Sequence, residues 1–428
     1  FNKKGLEMEL HNYIYIEKNN SFLNRITRSE ICPRAFDMKF SRITPLTVEG
    51  EKQRATNYAE NLIETAHDTM YLPDYPDLFT HEDEQYYNTY RAHEFQTVTT
   101  SNIVERIEDH IKFLLSDEKE REIFTYYLAH NVQKPGKKIQ WSIVLQGIQG
   151  DGKSLFAEMM QRVLGYRNVR MLDASELASS FTGYAVGQCM TFIEEVMIDS
   201  HDKYTVLNKL KPYITNEVVS VTAKGKDPKT CPNTTNYMMF TNYKNAIPID
   251  ANDRRYCILF SEYQQPELLE AFERENPNYF HSLYESMRKN VSELYDWLNN
   301  MTIPEWFYMT KRAPITRAKF RMIENSKPAA QIALELALDK FKDFDINENI
   351  INVTKLTKLV NNEYDDTDEF SQYPNQRQIN PMLLAMGYNK IGRTKTQADG
   401  NKCTIYAKSD STDANKIYDE AISKDLNF

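Results

Sequence analysis

The chain has 428 residues, enough for about two to four domains with separate cores. Hydrophobic residues at 41% and charged residues at 26% match a globular protein and exclude collagen-like, low-complexity and solenoid classes. A net charge of −9 argues against a surface coated in nucleic acid, yet leaves room for a local basic groove or loop. The five cysteines are odd in number and widely spaced, which disfavours a disulfide framework or a zinc site and predicts a reducing, cytoplasmic setting. The eight histidines are scattered and read as ordinary surface or core residues. No apolar run has the length of a membrane span, so no membrane partner is expected. The first residue is Phe1 rather than Met, which predicts a fragment of a longer protein.

Residues 1–100 read as a mixed α/β region. Tyr13–Ile16 and Ser21–Ile26 form a hairpin about Asn19-Asn20, residues 51–67 are helical in pattern, and 71–98 are rich in Pro, Asp and Tyr and irregular. Residues 101–137 form a helical approach segment. Ser101 is its cap, Ile103, Ile107, Ile111, Leu114 and Leu115 keep helical spacing, and a second helix over 120–132 stops at Lys134-Pro135-Gly136. Residues 138–265 alternate apolar strands with helices, as in a largely parallel sheet covered on both faces. Its strands are expected at 142–146, 190–193 and 237–240, with a further apolar run at 256–260. Residues 266–326 are mainly helical and carry Tyr279, Phe280 and Tyr284. Residues 327–410, three helices and a hairpin, resemble a winged helix in pattern, and 411–428 form a polar tail.

The run from Gly147 to Ser154 (Gly-Ile-Gln-Gly-Asp-Gly-Lys-Ser) follows an apolar strand and opens a helix. A phosphate chain needs this arrangement. Glycines let backbone N–H groups converge, Lys153 reaches the outer phosphates, Ser154 offers a hydroxyl to magnesium, and the helix that follows adds its dipole. The candidate nucleotide-binding set is Gly147, Gln149, Gly150, Asp151, Gly152, Lys153, Ser154 and Leu155, with ATP and Mg2+ as cofactors. Phe192-Ile193-Glu194-Glu195 puts two acids at the tip of a second strand, one for the metal and one to polarise water. Such pairs are common alone and gain meaning from the loop upstream. Asn242, ending another strand, can hold a water near the terminal phosphate or merely begin a turn. Arg254 and Arg255 precede the apolar run at 256–260, and either suits a guanidinium supplied to a neighbour's site, or both form a surface ion pair. The basic stretch 203–229 reads as a strand leading to a hairpin tip with Lys224 and Lys226, a grip for a nucleic-acid backbone or a solvated loop. The wing candidates are Lys390, Arg393, Lys395 and Lys402.

The order of these motifs resembles superfamily 3 helicases, and within them the primase-associated helicase domain of phages and plasmids. Tyr127–Asn131, Gln133-Lys134-Pro135 and Asn88-Thr89-Tyr90 extend the likeness upstream. The match is good over about 80–265 and loose elsewhere. The resemblance implies an AAA+-like P-loop NTPase core, a ring that is usually hexameric, single-stranded DNA in a central pore, and a primase or polymerase domain upstream, in a phage protein of the host cytoplasm. It implies catalytic roles for Lys153, Glu194, Glu195, Asn242 and Arg254 or Arg255, metal contact by Ser154 and Glu194, and DNA contact by Lys224 and Lys226. Glu-Glu stands where Asp is frequent at one position, which leaves the division of roles open. Rival readings are an ATP-switch assembly factor, a packaging or recombination ATPase, and a DNA-binding module with a degenerate ATPase.

Overall fold

A computed structural model describes residues 3–95, 100–173, 176–177, 179, 181–194, 203–222, 228–247, 249, 252–325, 327–342, 350–363, 372–391, 395–396 and 402–408. The chain divides into two compact units, residues 1–326 and 327–428.

The first unit opens with α1 (Lys3–Leu10), β1 (Tyr13–Ile16), β2 (Ser21–Asn24), β3 (Glu30–Ile31), α2 (Pro33–Phe40), α3 (Ala55–Ala59) and β4 (Glu64–Ala66). The sheet order is β3-β2-β1-β4, with β4 parallel to β1. Leu6, Leu10, Phe22, Phe36 and Phe40 close a core over it. The helical pattern expected over 51–67 therefore yields only one short helix. Its second half pairs with β1 because Ala66 joins Ile14, Ile16 and Leu23 in one apolar cluster. Residues 71–98 are also more regular than their composition predicts. β5 (Asp68–Met70), β6 (Leu78–His81) and β7 (Glu84–Asn88) make a sheet ordered β5-β7-β6. The tight turn between β6 and β7 uses Glu82 and Asp83 at positive φ, 50° and 64°, conformations more usual for Gly or Asn.

The centre of this unit is a five-stranded parallel sheet: β8 (Ser142–Gln146), β9 (Val169–Asp173), β10 (Met190–Glu194), β13 (Asn236–Thr241) and β14 (Tyr256–Phe260). The hairpin β11 (Val218–Val221) with β12 (Lys229–Pro232) stands between β10 and β13 in the chain. In space the order is β14-β8-β13-β10-β9. Every side chain of β8, β13 and β14 is buried, as a sheet covered on both faces requires. Alternate residues feed opposite layers. Ile143, Leu145, Phe192 and Leu259 face α4 (Ile103–Leu114), α5 (Glu118–Gln133) and α6 (Leu155–Leu164), together with the helices Tyr279–Lys289 and Val291–Asn300. Val144, Ile193, Met239 and Ile258 face the helices Lys203–Thr215 and Arg317–Asn325. Each such side chain contributes about 2 kcal/mol on leaving water.

The second unit has helices Ala329–Lys340, Val353–Glu363 and Gln376–Ala385, and an antiparallel sheet in which Ile405–Lys408 lies between Ile350–Asn352 and Tyr388–Lys390. Leu334, Leu356, Leu383 and Tyr406 share its core. No helix among the described residues is long and apolar enough to cross a membrane.

Candidate functional site

The strand order fixes where a ligand can enter. From β8 the chain leaves toward β9 at one edge, and from β13 it leaves toward β14 on the other side. The gap above the carboxyl ends of β8 and β13 is thus a topological switch point, where open parallel sheets bind ligands. A crevice of about 360 Å³ opens there, lined by Gln149 to Ser154, Glu194, Phe240, Thr241, Asn242, Glu273, Phe280 and Tyr284.

The loop 147–154 leaves β8 between two neighbours that hold it. Gly147 N–H donates to the Thr241 carbonyl at 3.0 Å, and Ser261 N–H donates to the Gln146 carbonyl at 2.7 Å. Gly150 and Gly152 have φ of 91° and 88°, the left-handed region that glycine tolerates. Gly147 is constrained by space instead, because a Cβ there would run into the Asp151 carboxylate. The loop then enters α6 through Ser154, an exposed residue, while Leu155 is buried beneath it.

Lys153 is only 7% exposed. Its ammonium donates to the carbonyls of Ile148 at 2.7 Å and Gly147 at 3.2 Å, and to Asp151 Oδ1 at 3.2 Å. Asp151 is fully buried, and burial pushes its carboxyl up against the pull of Lys153. Among the described residues its second oxygen has no partner in hydrogen-bonding geometry, although the Ser261 side chain also draws its carboxyl down. A phosphate group would compete for an ammonium already held by three acceptors.

Glu194 ends β10, two strands from β8, or about 10 Å across the sheet. That span suits a phosphate chain between the loop and an acid. Asn242 follows β13, and its carbonyl accepts from Gln146 Nε2 at 3.3 Å, so both switch-point strands fix its position. Ser154 and Glu194 offer oxygen donors, the type a hard divalent cation takes, so the residues present fit magnesium. Tyr284 completes the wall. Burial pushes its hydroxyl up to about 12, with Glu158, Glu194 and Asp151 adding to the rise against Arg288. The helix that carries it is tied to α6 by Arg288, which meets Glu158 at 2.7 and 3.0 Å.

Arg254 and Arg255 are not in this crevice. They precede β14, which runs parallel to β8, so they stand about 16 Å away at the opposite end of the sheet. Their environments differ. Arg255 Nη1 meets Asp253 at 3.3 Å, and its N–H donates to the same carboxylate at 2.8 Å. The Arg254 side chain is exposed and has no hydrogen bond or ion pair among the described residues, while its carbonyl accepts from Ala313 N–H at 2.8 Å. Glu195, Lys224, Lys226 and Arg393 lie outside the described residues.

Several residues of the site were not singled out by sequence reasoning. Phe280 and Tyr284 read only as helical aromatics, and Glu273 had no signal. His110 read as an ordinary histidine, yet it is fully buried against the loop. Its place in the apolar stripe of Ile103, Ile107, Ile111 and Leu114 was the available clue.

Comparison with known proteins adds a lineage. A family model described as a family of unknown function (DUF5906) matches residues 145–255, from the end of β8 to the start of β14. A DNA primase-polymerase of Nitratiruptor phage NrS-1 is 24% identical over 196 residues, covering 44% of this chain and 27% of that protein. The alignment thus spans about a quarter of the relative. An apo structure of the NrS-1 C-terminal region (305–718) superposes with a TM-score of 0.68 at 16% identity, covering 95% of this chain and 98% of that one. Its A form gives 0.64 at the same identity and coverage. The chain is related in sequence to a phage primase-polymerase and shares the fold of that protein's C-terminal region.

Proposed function

We propose that this chain is the ATP-dependent DNA helicase or translocase part of a phage or plasmid replication protein, with an AAA+-like core, acting as a ring of copies, in the hexameric form that superfamily 3 helicases usually take. The carrying observation is one crevice at the switch point that joins Gln149 to Ser154 with Glu194 and Asn242, while an exposed Arg254, without a partner among the described residues, stands at the far end of the same sheet. A guanidinium there cannot reach its own crevice, so it acts on a neighbour's.

In this reading the loop N–H groups and Lys153 bind the β- and γ-phosphates, and Ser154 and Glu194 hold the metal. Magnesium, when bound, supplies positive charge to the phosphate oxygens. Glu195 takes the general-base role, and Asn242 orients the attacking water. Arg254 from the adjacent copy stabilises charge that develops as the γ-phosphate leaves. Arg255, tied to Asp253, shapes the turn that presents Arg254. Lys224 and Lys226 grip single-stranded DNA. The 327–428 unit is read as a winged-helix-like module, and an upstream primase or polymerase domain completes the protein.

ATP turnover with and without single-stranded DNA tests this. Lys153→Ala is expected to abolish turnover, which falls by three orders of magnitude or so when the phosphate-binding charge is lost. A Lys153→Ala protein that turns over ATP like the parent would end the assignment. Turnover without strand separation on a forked duplex would favour an ATP-driven switch instead.

A further inference from the structure

Beneath the loop, His110 of α4 is enclosed on all sides. Its ring lies nearly parallel to those of Phe113 and Phe156, with centroids at 5.5 and 5.7 Å, and it has no exposed surface. Nε2 is 3.3 Å from the Gly152 carbonyl, and Nδ1 is 3.2 Å from the Tyr279 hydroxyl. A carbonyl oxygen only accepts, so Nε2 carries the proton and the bare Nδ1 accepts from Tyr279. The same Gly152 carbonyl accepts from Leu155 N–H at 3.1 Å in the first turn of α6. Both of its lone pairs are thereby used. The fit is close in space as well, because a Cβ on Gly152 would lie 2.6 Å from His110 Nε2.

We propose that His110 is a positioning residue for the loop 147–154, and that Tyr279 selects its tautomer. The physical link is the planar trans peptide between Gly152 and Lys153. In such a unit the C=O and N–H point in opposite directions. Fixing the carbonyl on His110 turns the Lys153 N–H to the other side, toward the loop interior, where it now meets Asp151 Oδ1 at 3.3 Å. That interior is where a phosphate chain would lie, so the inference rests on the triphosphate reading. The relay also joins the Tyr279–Lys289 helix to the loop, since Tyr279 and the crevice residues Phe280 and Tyr284 share that helix.

The test uses the whole chain in four forms: parent, His110→Ala, His110→Gln and Tyr279→Phe. Gln places a side-chain N–H near the Nε2 position. Affinity for a fluorescent mant-ATP with magnesium and deuterium exchange of the 150–156 amides are both measured. His110→Ala is expected to bind about tenfold more weakly, as befits a part-buried carbonyl that loses one of its two donors and keeps only Leu155 N–H. His110→Gln should recover most of that loss, with Tyr279→Phe in between. In exchange, the alanine variant should lose protection across the loop and the glutamine variant regain it. Circular dichroism and thermal melting establish that each variant is folded. If alanine leaves affinity and protection unchanged, or if glutamine is as impaired as alanine, the donor role is wrong. A parent that fails to bind mant-ATP, or a Lys153→Ala protein that binds it equally well, sinks the triphosphate reading instead. The exchange arm then still decides whether His110 holds the loop.

Discussion

Burial decides the charge of two imidazoles. Desolvation lowers His110 to about 4, against a rise from the Gly152 carbonyl, and lowers His130 to about 4, against a rise from the Lys137 carbonyl that it meets at 2.9 Å. Both are neutral in the fold at pH 7, and an unfolded chain keeps them near the ordinary 6.5. The sign follows. Above pH 6.5 neither state binds protons there. As the pH falls from 6.5 to 4 the unfolded chain takes up protons that the folded one refuses, so stability is lost across that window. By pH 5 the loss is about 2 kcal/mol per histidine. Guanidinium unfolding at pH 7.5 and pH 5 should show a smaller drop for His130→Gln than for the parent. Equal drops would mean that His130 is not held neutral by the fold. The same burial hid His110 in the sequence. A single polar residue within an apolar stripe has no periodic signature of its own, and its partners Gly152 and Tyr279 are 42 and 169 positions away.

At the scale of elements, β14 shows how a strand can carry a residue away from one site and toward another. Its first turn is clamped. Asp253 accepts from Arg255 N–H, the buried Lys319 ammonium donates to the Asp253 carbonyl, and Ala313 N–H donates to the Arg254 carbonyl. Of the two arginines, Arg255 is paired with Asp253 while the exposed Arg254 side chain has no partner among the described residues, so the two should separate on substitution. Arg254→Ala is expected to bind mant-ATP like the parent yet lose turnover by about a thousandfold, as when a guanidinium supplied in trans is removed. Arg255→Ala should instead lower the melting temperature, because a mostly buried Asp253 loses its partner. The reverse pattern would exchange the two roles. Much of this site was legible in the sequence because loop 147–154, Glu194 and Asn242 each end an apolar strand, and burial on both faces writes such strands as continuous runs. The strand 169–173 was not, since Arg170 interrupts its run at the sheet edge. The β6–β7 hairpin was hidden by polar side chains that are exposed at its turn.

Across the whole molecule the charge is unfavourable for a polyanion: 61 acidic against 52 basic residues. Any contact with a DNA strand has to be local. The hairpin is a suitable arm, with Val218–Val221 and Lys229–Pro232 in antiparallel register beside the N-terminal region. One lysine of its basic stretch is already committed. The Lys229 ammonium lies 2.6 Å from Asp68, which also holds Lys18 at 3.1 Å, and it donates to the Thr69 carbonyl at 3.2 Å. This anchors the end of the hairpin ladder next to its turn, where Lys229 faces Val221, and leaves Lys224 and Lys226 as the candidates for phosphate contact. Each single-strand phosphate contact adds about 0.7 to the slope of log affinity against log salt. The double variant Lys224→Ala, Lys226→Ala is therefore expected to keep basal ATP turnover, lose its stimulation by single-stranded DNA, and show a slope shallower by roughly 1.4 for the pair of contacts removed. Fluorescence anisotropy of a labelled oligonucleotide between low and moderate salt measures it. An unchanged slope would move the contact elsewhere, and deleting the 327–428 unit then tests its lysines, Lys390, Lys395 and Lys402. A slope that falls only on that deletion would make the second unit the DNA-binding part and leave the hairpin a structural arm held by Asp68.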